Sequence, residues 1–459
     1  MSRTFKTVDY EAARDLTVRL GDCLPPEHLA CFVVDSVALL DLSALDARYG
    51  SRGGEPYAPE VLLALLLYGY ATGIFSSRKI ERATYESVPF RFIAGNRHPD
   101  HDTIAAFRAT FLPDLKGLFV QVLLFVQVLL LTQEAGVLTL GTLSLDGTKI
   151  HADASKSKAV SYKRLVEREA HLRAEVDELF ALAERMDERE RPDGLVVRDE
   201  IARREDHLAR LAEAKAVIEA RARERDALER AAYEETMAQR AEKEQAAGRR
   251  PRGRTPLPPV PGPRAKDQDN FTDPDARIMK NPTDQGFDQD DNVQIAVEQE
   301  SLLIVGTSLS THPNDTHEAE PTLAAIPPEV GTPDAAALDH GYGGPATLAA
   351  CARRDIEPYI ATGREPHHQS GQERFAPEPA PPPEDASAQV KMAYTLKTAV
   401  GKAIYGARKF TVEPVLGIIT EVRGFRQFSL RGEAAVAGEW LLVCLAFNLK
   451  RFHTLSPVY

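Results

Sequence analysis

Residues 141–155 read GTLSLDGTKIHADAS. Apolar and polar side chains alternate through Leu143, Ser144 and Leu145 to Asp146, and that period of two predicts a strand ending there. Gly147 follows at once, and an Asp-Gly pair flanked by alternating residues predicts a tight hairpin turn. A carboxylate at the end of a buried strand has a second use, as an oxygen ligand for a hard cation such as magnesium. Taken alone, the stretch leaves Asp146 open between turn residue and ligand.

Downstream the period of two returns. In residues 284–311, Val293, Ile295 and Val297 alternate and SLLIVGTSL follows, which predicts two strands joined as a hairpin. HEAEPTLAAI predicts a helix, DAAALDHGYGG (334–344) a short strand running into a Gly-rich loop, PATLAACARRD a helix and IEPYIAT a strand. Residues 364–389, which include His367 and His368, read as a loop, with helices over 390–409 and from 414 onward. Strands followed by alternating helix and strand make an α/β domain.

Residues 163–247 interrupt it. They are charged and rich in Ala and Leu, with Leu165, Leu172, Val176, Leu179, Ala183 and Met186 at heptad spacing. After RPDG (191–194), Val197, Ile201, Leu208, Leu211 and Ile218 continue the pattern. This predicts an antiparallel helical hairpin turning at Pro192–Gly194, an inserted arm with no chemistry of its own. GRRPRGRTPLPPVPGPRAK (248–266) reads as a linker.

Residues 1–135 read as helical. YAPEVLLALLLYGYATGIFSSRKIERATYESVPFRFIAG gives an apolar helix, a break and a basic amphipathic helix, and PDHDTIAAFRATFLPDL gives a capped helix carrying Arg108. Short helices with Arg78, Lys79 and Arg82 on one segment suit a helix-turn-helix-like DNA-binding module, and equally a helical bundle with a solvated basic face. The apolar runs 61–75 and 118–131 fall short of the ~20 residues needed to cross a bilayer and predict core helices. The second run holds a direct repeat, FVQVLL at Phe119–Leu124 and again at Phe125–Leu130. Six residues turn a helix by about 600°, so an inserted hexamer would swing the downstream residues onto another face.

Composition narrows the class. The N-terminus lacks the apolar stretch of a secretory signal, and the four cysteines are scattered with no CxxC pair, which fits a reducing cytoplasm and gives no zinc site. A net charge of −12 argues against indiscriminate coating of nucleic acid. From Lys397 to Tyr459, however, nine Lys/Arg face four Glu, and residues 248–266 carry six positive residues and no acid.

Three acids stand out by position: Asp146; Asp339 at the end of DAAALD, followed by His340; and Glu413, just before Pro414 in what suits the first turn of a helix. Phosphodiester chemistry needs such carboxylates from different elements to hold two divalent ions about 3.5–4 Å apart. The chain resembles the DDE transposases of bacterial insertion sequences. The motifs that carry the resemblance are YGYATGIFSSRKIERA, PDHDTIAAFR, LDGTKIHADAS, TDPDARIMK (272–280), LDHGYGG, and YGARKFTVEPVLG with RGFRQFSLRG and LLVCLAFNLKR; they lie in family order over most of residues 50–452.

The resemblance implies an α/β fold: a ribonuclease-H-like mixed sheet with helices on both faces, interrupted by the long helical-hairpin insert, plus an N-terminal all-α domain. The divisions are 1–135 (DNA binding), 136–160 (first catalytic strands), 161–266 (insert and linker) and 267–459 (remainder of the catalytic domain). It implies Asp146, Asp339 and Glu413 as catalytic metal ligands for two Mg2+ ions, with Mn2+ as a substitute. It further implies binding of terminal inverted repeats, strand cleavage and transfer on double-stranded DNA, and a homodimer or higher assembly at the nucleoid, without membrane.

Tyr405, Arg408 and Glu413 match three members of the family's Tyr-Arg-Glu-Lys signature, with four residues between Arg408 and Glu413. The Lys, expected at 420, is Thr420, and Ile418 stands where a polar residue is expected, which leaves Arg423 or Arg426 as substitutes for a phosphate contact. Arg408 suits a bidentate phosphate clamp. Asn292, Gln294, Asn314 and Asp315 also match family positions and are expected to order loops around the site. Lys149 is expected either at DNA backbone or exposed, His340 in a solvated loop and Trp440 in the core. The alternative function is a catalytically inactive relic that only binds DNA, for which Thr420 and the hexamer repeat argue.

Overall fold

The strand that begins at Thr142 does not turn at Asp146–Gly147. In the computed structural model, which describes residues 19–47, 56–123, 140–185, 197–250, 253–280, 286–363 and 379–456, it runs unbroken to His151. Gly147 has no positive φ. What excludes a side chain there is space: a Cβ would lie 2.7 Å from Cδ and Oε1 of Gln294 directly opposite, and nearer still to Nε2. The hairpin expectation is thereby corrected. The glycine admits a neighbouring strand's side chain, the other common reason for glycine inside a strand.

The described strands, in chain order, are β1 (Thr142–His151), β2 (Ala159–Ser161), β3 (Gln268–Asn270), β4 (Arg277–Lys280), β5 (Phe287–Glu298), β6 (Ile304–Ser310), β7 (Ala335–Leu338) and β8 (Glu357–Ile360). β5 pairs antiparallel with β1 along its length, from Leu143 opposite Glu298 to His151 opposite Asp290. β6 and β4 take the far edge of β5 at its two ends, while β7 and then β8 add in parallel on the other side of β1. The result is one mixed sheet, and β2 and β3 form a separate pair.

Helices cover both faces. A Cβ on Gly306 would strike Ile326 and the Thr322 carbonyl, beside the Ala319–Ala324 helix, whereas Thr307, pointing the opposite way, accepts a 2.6 Å hydrogen bond from Trp440 on the Glu433–Leu455 helix. Thr307 lies opposite Ile295, which lies opposite Asp146, so the C-terminal helix shares the Asp146 face. The hydrophobic core is continuous from Leu63, Leu65 and Leu67 of the Pro59–Thr72 helix through Leu143 and Ile295 to Trp440 and Phe447. Each such side chain contributes about 1.5–3 kcal/mol by leaving water.

The insert is a helical hairpin of Tyr162–Arg185 and Val197–Ala247. Ion pairs Lys215–Glu169 (2.9 Å) and Arg204–Glu175 (2.8 Å) set the two helices antiparallel, and Leu165, Leu211 and Ile218 are buried in a cluster between them. The turn at Pro192–Gly194, the second FVQVLL and His367–His368 lie outside the described residues. The stretch read as a linker folds back along the longer helix: Gly262 N–H donates to Asp226, and Arg264 pairs with Glu229. The helical segment expected from 414 onward is Val412–Gly417, a π-turn at Ile418–Val422, a break, and Glu433–Leu455. Among the described residues no single helix is long and apolar enough to cross a membrane.

Candidate active site

The parallel register of β1 and β7 pairs Leu145 with Leu338, so the next residue on each strand is an aspartate, Asp146 and Asp339. Asp146 continues in β1, while Asp339 leaves the sheet at the start of the short 3-10 turn His340–Tyr342. The third acid arrives on the Val412–Gly417 helix. Thr411, just before it, hydrogen-bonds Ser144 Oγ at 2.8 Å, fastening the helix start to β1 two residues from Asp146. Glu413 sits in the first helical turn with its side chain exposed, and its charge reaches Asp146.

Burial pushes the Asp146 carboxyl up to about 6; Arg408 and the Gly147 N–H oppose the shift, and Asp339 and Glu413 add to it. Arg408 lies between the aspartates. Its Nη2 is 2.9 Å from Asp146 Oδ2 and its Nη1 3.5 Å from Asp339 Oδ1, with the Tyr405 hydroxyl 3.3 Å from Nη1 and the Tyr405 ring beneath the guanidinium. Arg408 Nε is buried with no hydrogen-bond partner. As donors, three carboxylates suit a hard divalent cation. Among the described residues, though, no three acidic, His or Cys side chains close into a metal cage, so the fit is one of donor chemistry.

The other expected contacts divide. Arg78, Lys79 and Arg82 are exposed on the Ser77–Glu86 helix, Arg82 paired with Glu86 at 2.7 Å. Arg108 is buried instead, donating to the Tyr70 hydroxyl (2.9 Å) and the Phe75 carbonyl (3.2 Å), with fully buried Glu439 at 3.7 Å. It ties the N-terminal helices to the C-terminal one and presents no surface to DNA.

Arg423 also turns inward, its guanidinium 5.1 Å from the centre of the Phe447 ring, with Nε and Nη1 unpartnered and burial pulling it down to about 10. Arg426 is exposed at the far end of β1, where its carbonyl accepts from His151 N–H; it pairs with Glu421 and stands five residues, about 16 Å of strand, from Asp146. Neither arginine takes the place of the missing Lys beside the acids. Thr420 donates back to the Leu416 carbonyl (3.0 Å) inside the π-turn. Lys149 donates to the Lys280 carbonyl, His340 Nδ1 lies 3.1 Å from the Ala361 carbonyl, and Trp440 is in the core.

On the face of the sheet away from the Asp146 side chain, Asn292, Gln294, Asp315 and Tyr342 form one hydrogen-bonded group. Tyr342 is the member that sequence reasoning missed. The available signal was an aromatic residue in a Gly-rich loop, together with polar Asn292 and Gln294 alternating in a strand whose every second residue is apolar.

Residues 18–110 match a family described as a transposase domain (DUF772), and residues 382–453 match a family described as a transposase DDE domain. No curated protein and no solved structure matches the chain. The first match spans the N-terminal helices and the second includes Tyr405, Arg408 and Glu413. DDE transposases as a family act on DNA and use divalent metal ions. The two matched domains, one on each side in sequence of the strands that carry the aspartates, support a DDE-type transposase of insertion-sequence kind.

Proposed function

We propose that this transposase binds the terminal inverted repeats of its element and performs strand cleavage and strand transfer at one site built from Asp146, Asp339 and Glu413. The observation that carries the reading is the β1–β7 register, which sets two aspartates side by side with Arg408 against both. The sheet supports a ribonuclease-H-like assignment: β1, β5 and β6 are successively antiparallel, then β7 and β8 run parallel to β1. The divisions 1–135, 136–160, 161–266 and 267–459 are retained as functional units.

The three acids would hold two magnesium ions, or manganese, which when bound supply the charge that activates an oxygen nucleophile and stabilises the leaving oxygen. Arg408, set against both aspartates, is the phosphate contact of this reading, its planar fork suiting phosphate oxygens. Water as nucleophile frees 3′-hydroxyls at the element ends; those hydroxyls then attack target DNA in line. Both reactions exchange one oxygen for another at phosphorus, so one site serves both. End binding falls to the exposed Arg78, Lys79 and Arg82, and joining two ends requires at least two protomers.

Asp146→Asn and Glu413→Gln are expected to abolish cleavage of end DNA in Mg2+ while leaving end binding intact. Full cleavage by either variant removes the triad assignment. A second reading, a relic that only binds DNA, is favoured by Thr420, whose hydroxyl bonds the helix backbone where the family carries a Lys. Binding without cleavage by the unmodified chain would establish it.

A further inference from the structure

Behind the sheet, Gln294 is 1% exposed, Asn292 2% and Tyr342 1%. Gln294 Nε2 donates to Asp315 Oδ1 (2.8 Å) and Asn292 Oδ1 (3.1 Å), and its Oε1 accepts from the Tyr342 hydroxyl. Asn292 Nδ2 donates to the same Asp315 oxygen (2.9 Å) and to the His312 carbonyl (3.1 Å). Every polar end of Gln294 and Asn292 is used. A buried amide has few ways to satisfy all its bonds at once, so such a group fixes geometry more narrowly than apolar packing of equal volume.

Its two ends reach the two aspartates. Gln294 fills the space left by the absent side chain of Gly147, the residue after Asp146. Tyr342 closes the 3-10 turn that starts at Asp339, and its own carbonyl accepts from Thr347 Oγ1 at 2.6 Å, fixing the turn to the following helix. We infer that Gln294 and Tyr342 are positioning residues whose hydrogen bond sets the relative placement of Asp146 and Asp339 from the opposite face of the sheet. Neither touches the reacting atoms. The inference rests on the triad reading, because what is positioned is the pair of carboxylates offered to the cation.

The test is Mn2+ binding by the full chain without DNA, followed by electron paramagnetic resonance. Outer hydrogen bonds that orient metal ligands are worth about 10–100-fold in affinity. Tyr342→Phe keeps the ring and deletes the donor, and is expected to weaken Mn2+ binding by a factor in that range while end-DNA affinity stays unchanged. Gln294→Met deletes the same bond from the other side and serves if the first variant does not fold. Trp440→Phe, which deletes the 2.6 Å bond to Thr307 on the same sheet, is the structural control and is expected to leave Mn2+ affinity unchanged. Wild-type Mn2+ affinity in Tyr342→Phe and Gln294→Met, or an equal loss in Trp440→Phe, overturns the positioning role alone. Undiminished Mn2+ binding by Asp146→Asn overturns the triad reading and the positioning role with it.

Discussion

Gly147→Ala tests the strand reading at the point where the sequence is most ambiguous. An alanine Cβ would sit 2.7 Å from Cδ and Oε1 of Gln294 and closer still to Nε2, inside any van der Waals contact. Gln294 cannot swing away cheaply, because its side chain is buried and bonded to Asn292, Asp315 and Tyr342. Overpacking of this kind costs about 1–3 kcal/mol. Each buried polar partner abandoned in relieving it adds about 1–3 kcal/mol. Against this, alanine restricts the unfolded chain and returns about 0.4–1 kcal/mol.

The net expectation is a loss of about 2–5 kcal/mol. It is measurable by chemical denaturation using the fluorescence of Trp440, the single tryptophan, which is bonded to β6 and reports on the sheet directly. The cause is separable: in a Gln294→Ala background the clash is gone, so Gly147→Ala should then cost little or stabilise, a coupling of at least about 1 kcal/mol. A neutral or stabilising Gly147→Ala in the unmodified chain would refute the close approach, and equal costs in both backgrounds would refute Gln294 as its source.

Other perturbations draw on the same geometry. Arg408→Met removes the counter-charge from Asp146 and is expected to destabilise the protein by about 3 kcal/mol at neutral pH, a cost that Asp146→Asn in the same chain should largely cancel; additivity of the two would sink the pairing. Burial, reinforced by Asp273 and Asp290, pushes Asp291 up to about 7. Between about pH 4 and pH 7 the folded chain therefore keeps a proton that the unfolded chain has released, and stability falls as pH rises through that window, by up to about 4 kcal/mol from this group. Asp291→Asn should flatten that slope and be the more stable protein at pH 8 in a pH series of denaturation curves. Arg108→Leu removes the counter-charge from fully buried Glu439, which keeps its hydrogen bonds from Tyr70, Ser429 and Leu430, and should cost about 3 kcal/mol without changing the DNA affinity of folded molecules. Alanine at Arg78 or Lys79 should instead weaken end binding and lower its salt slope by about 1, and no change in either quantity removes that helix from the interface.

The sequence made β5, β6, β7 and β8 readable because Val293, Ile295 and Val297, or the run Ala335–Leu338, carry patterns of apolar burial that local chemistry enforces, whereas β2, β3 and β4, three or four residues each, are too short to show a period. It misled at Asp146–Gly147 because a glycine demanded by a neighbour 147 positions downstream looks the same as one demanded by a turn. The same limit explains the arginines. Arg78 and Arg108 both lie on short helices with mixed composition, yet one faces solvent and the other bonds Tyr70 beside Glu439, over three hundred residues away in the chain. Arg423 reads as a candidate phosphate contact until the Phe447 ring is placed against it. Charge identifies a residue that needs a partner or water, and only tertiary contacts decide which it gets.

The position of the arm explains how so long an insertion leaves the aspartates undisturbed. It leaves and rejoins the sheet-bearing part at adjacent points: Ser161 pairs with Gln268 in the β2–β3 pair, and the Tyr162 N–H donates to the Asp267 carbonyl at 2.8 Å. Arg221 reaches from the long helix to Asp269 (3.2 Å), and Asn270 Nδ2 reaches the Ser155 carbonyl (3.0 Å), bracing that base on both sides. With entry and exit joined, the chain from β1 to β5 behaves as a short connection whatever its length, and the closure entropy of the arm is met by its own hairpin. The 51-residue Val197–Ala247 helix, about 77 Å long, can therefore extend contacts far from the acids. The register that sets Gly147 against Gln294 and Asp146 beside Asp339 depends on β1, β5 and β7 alone.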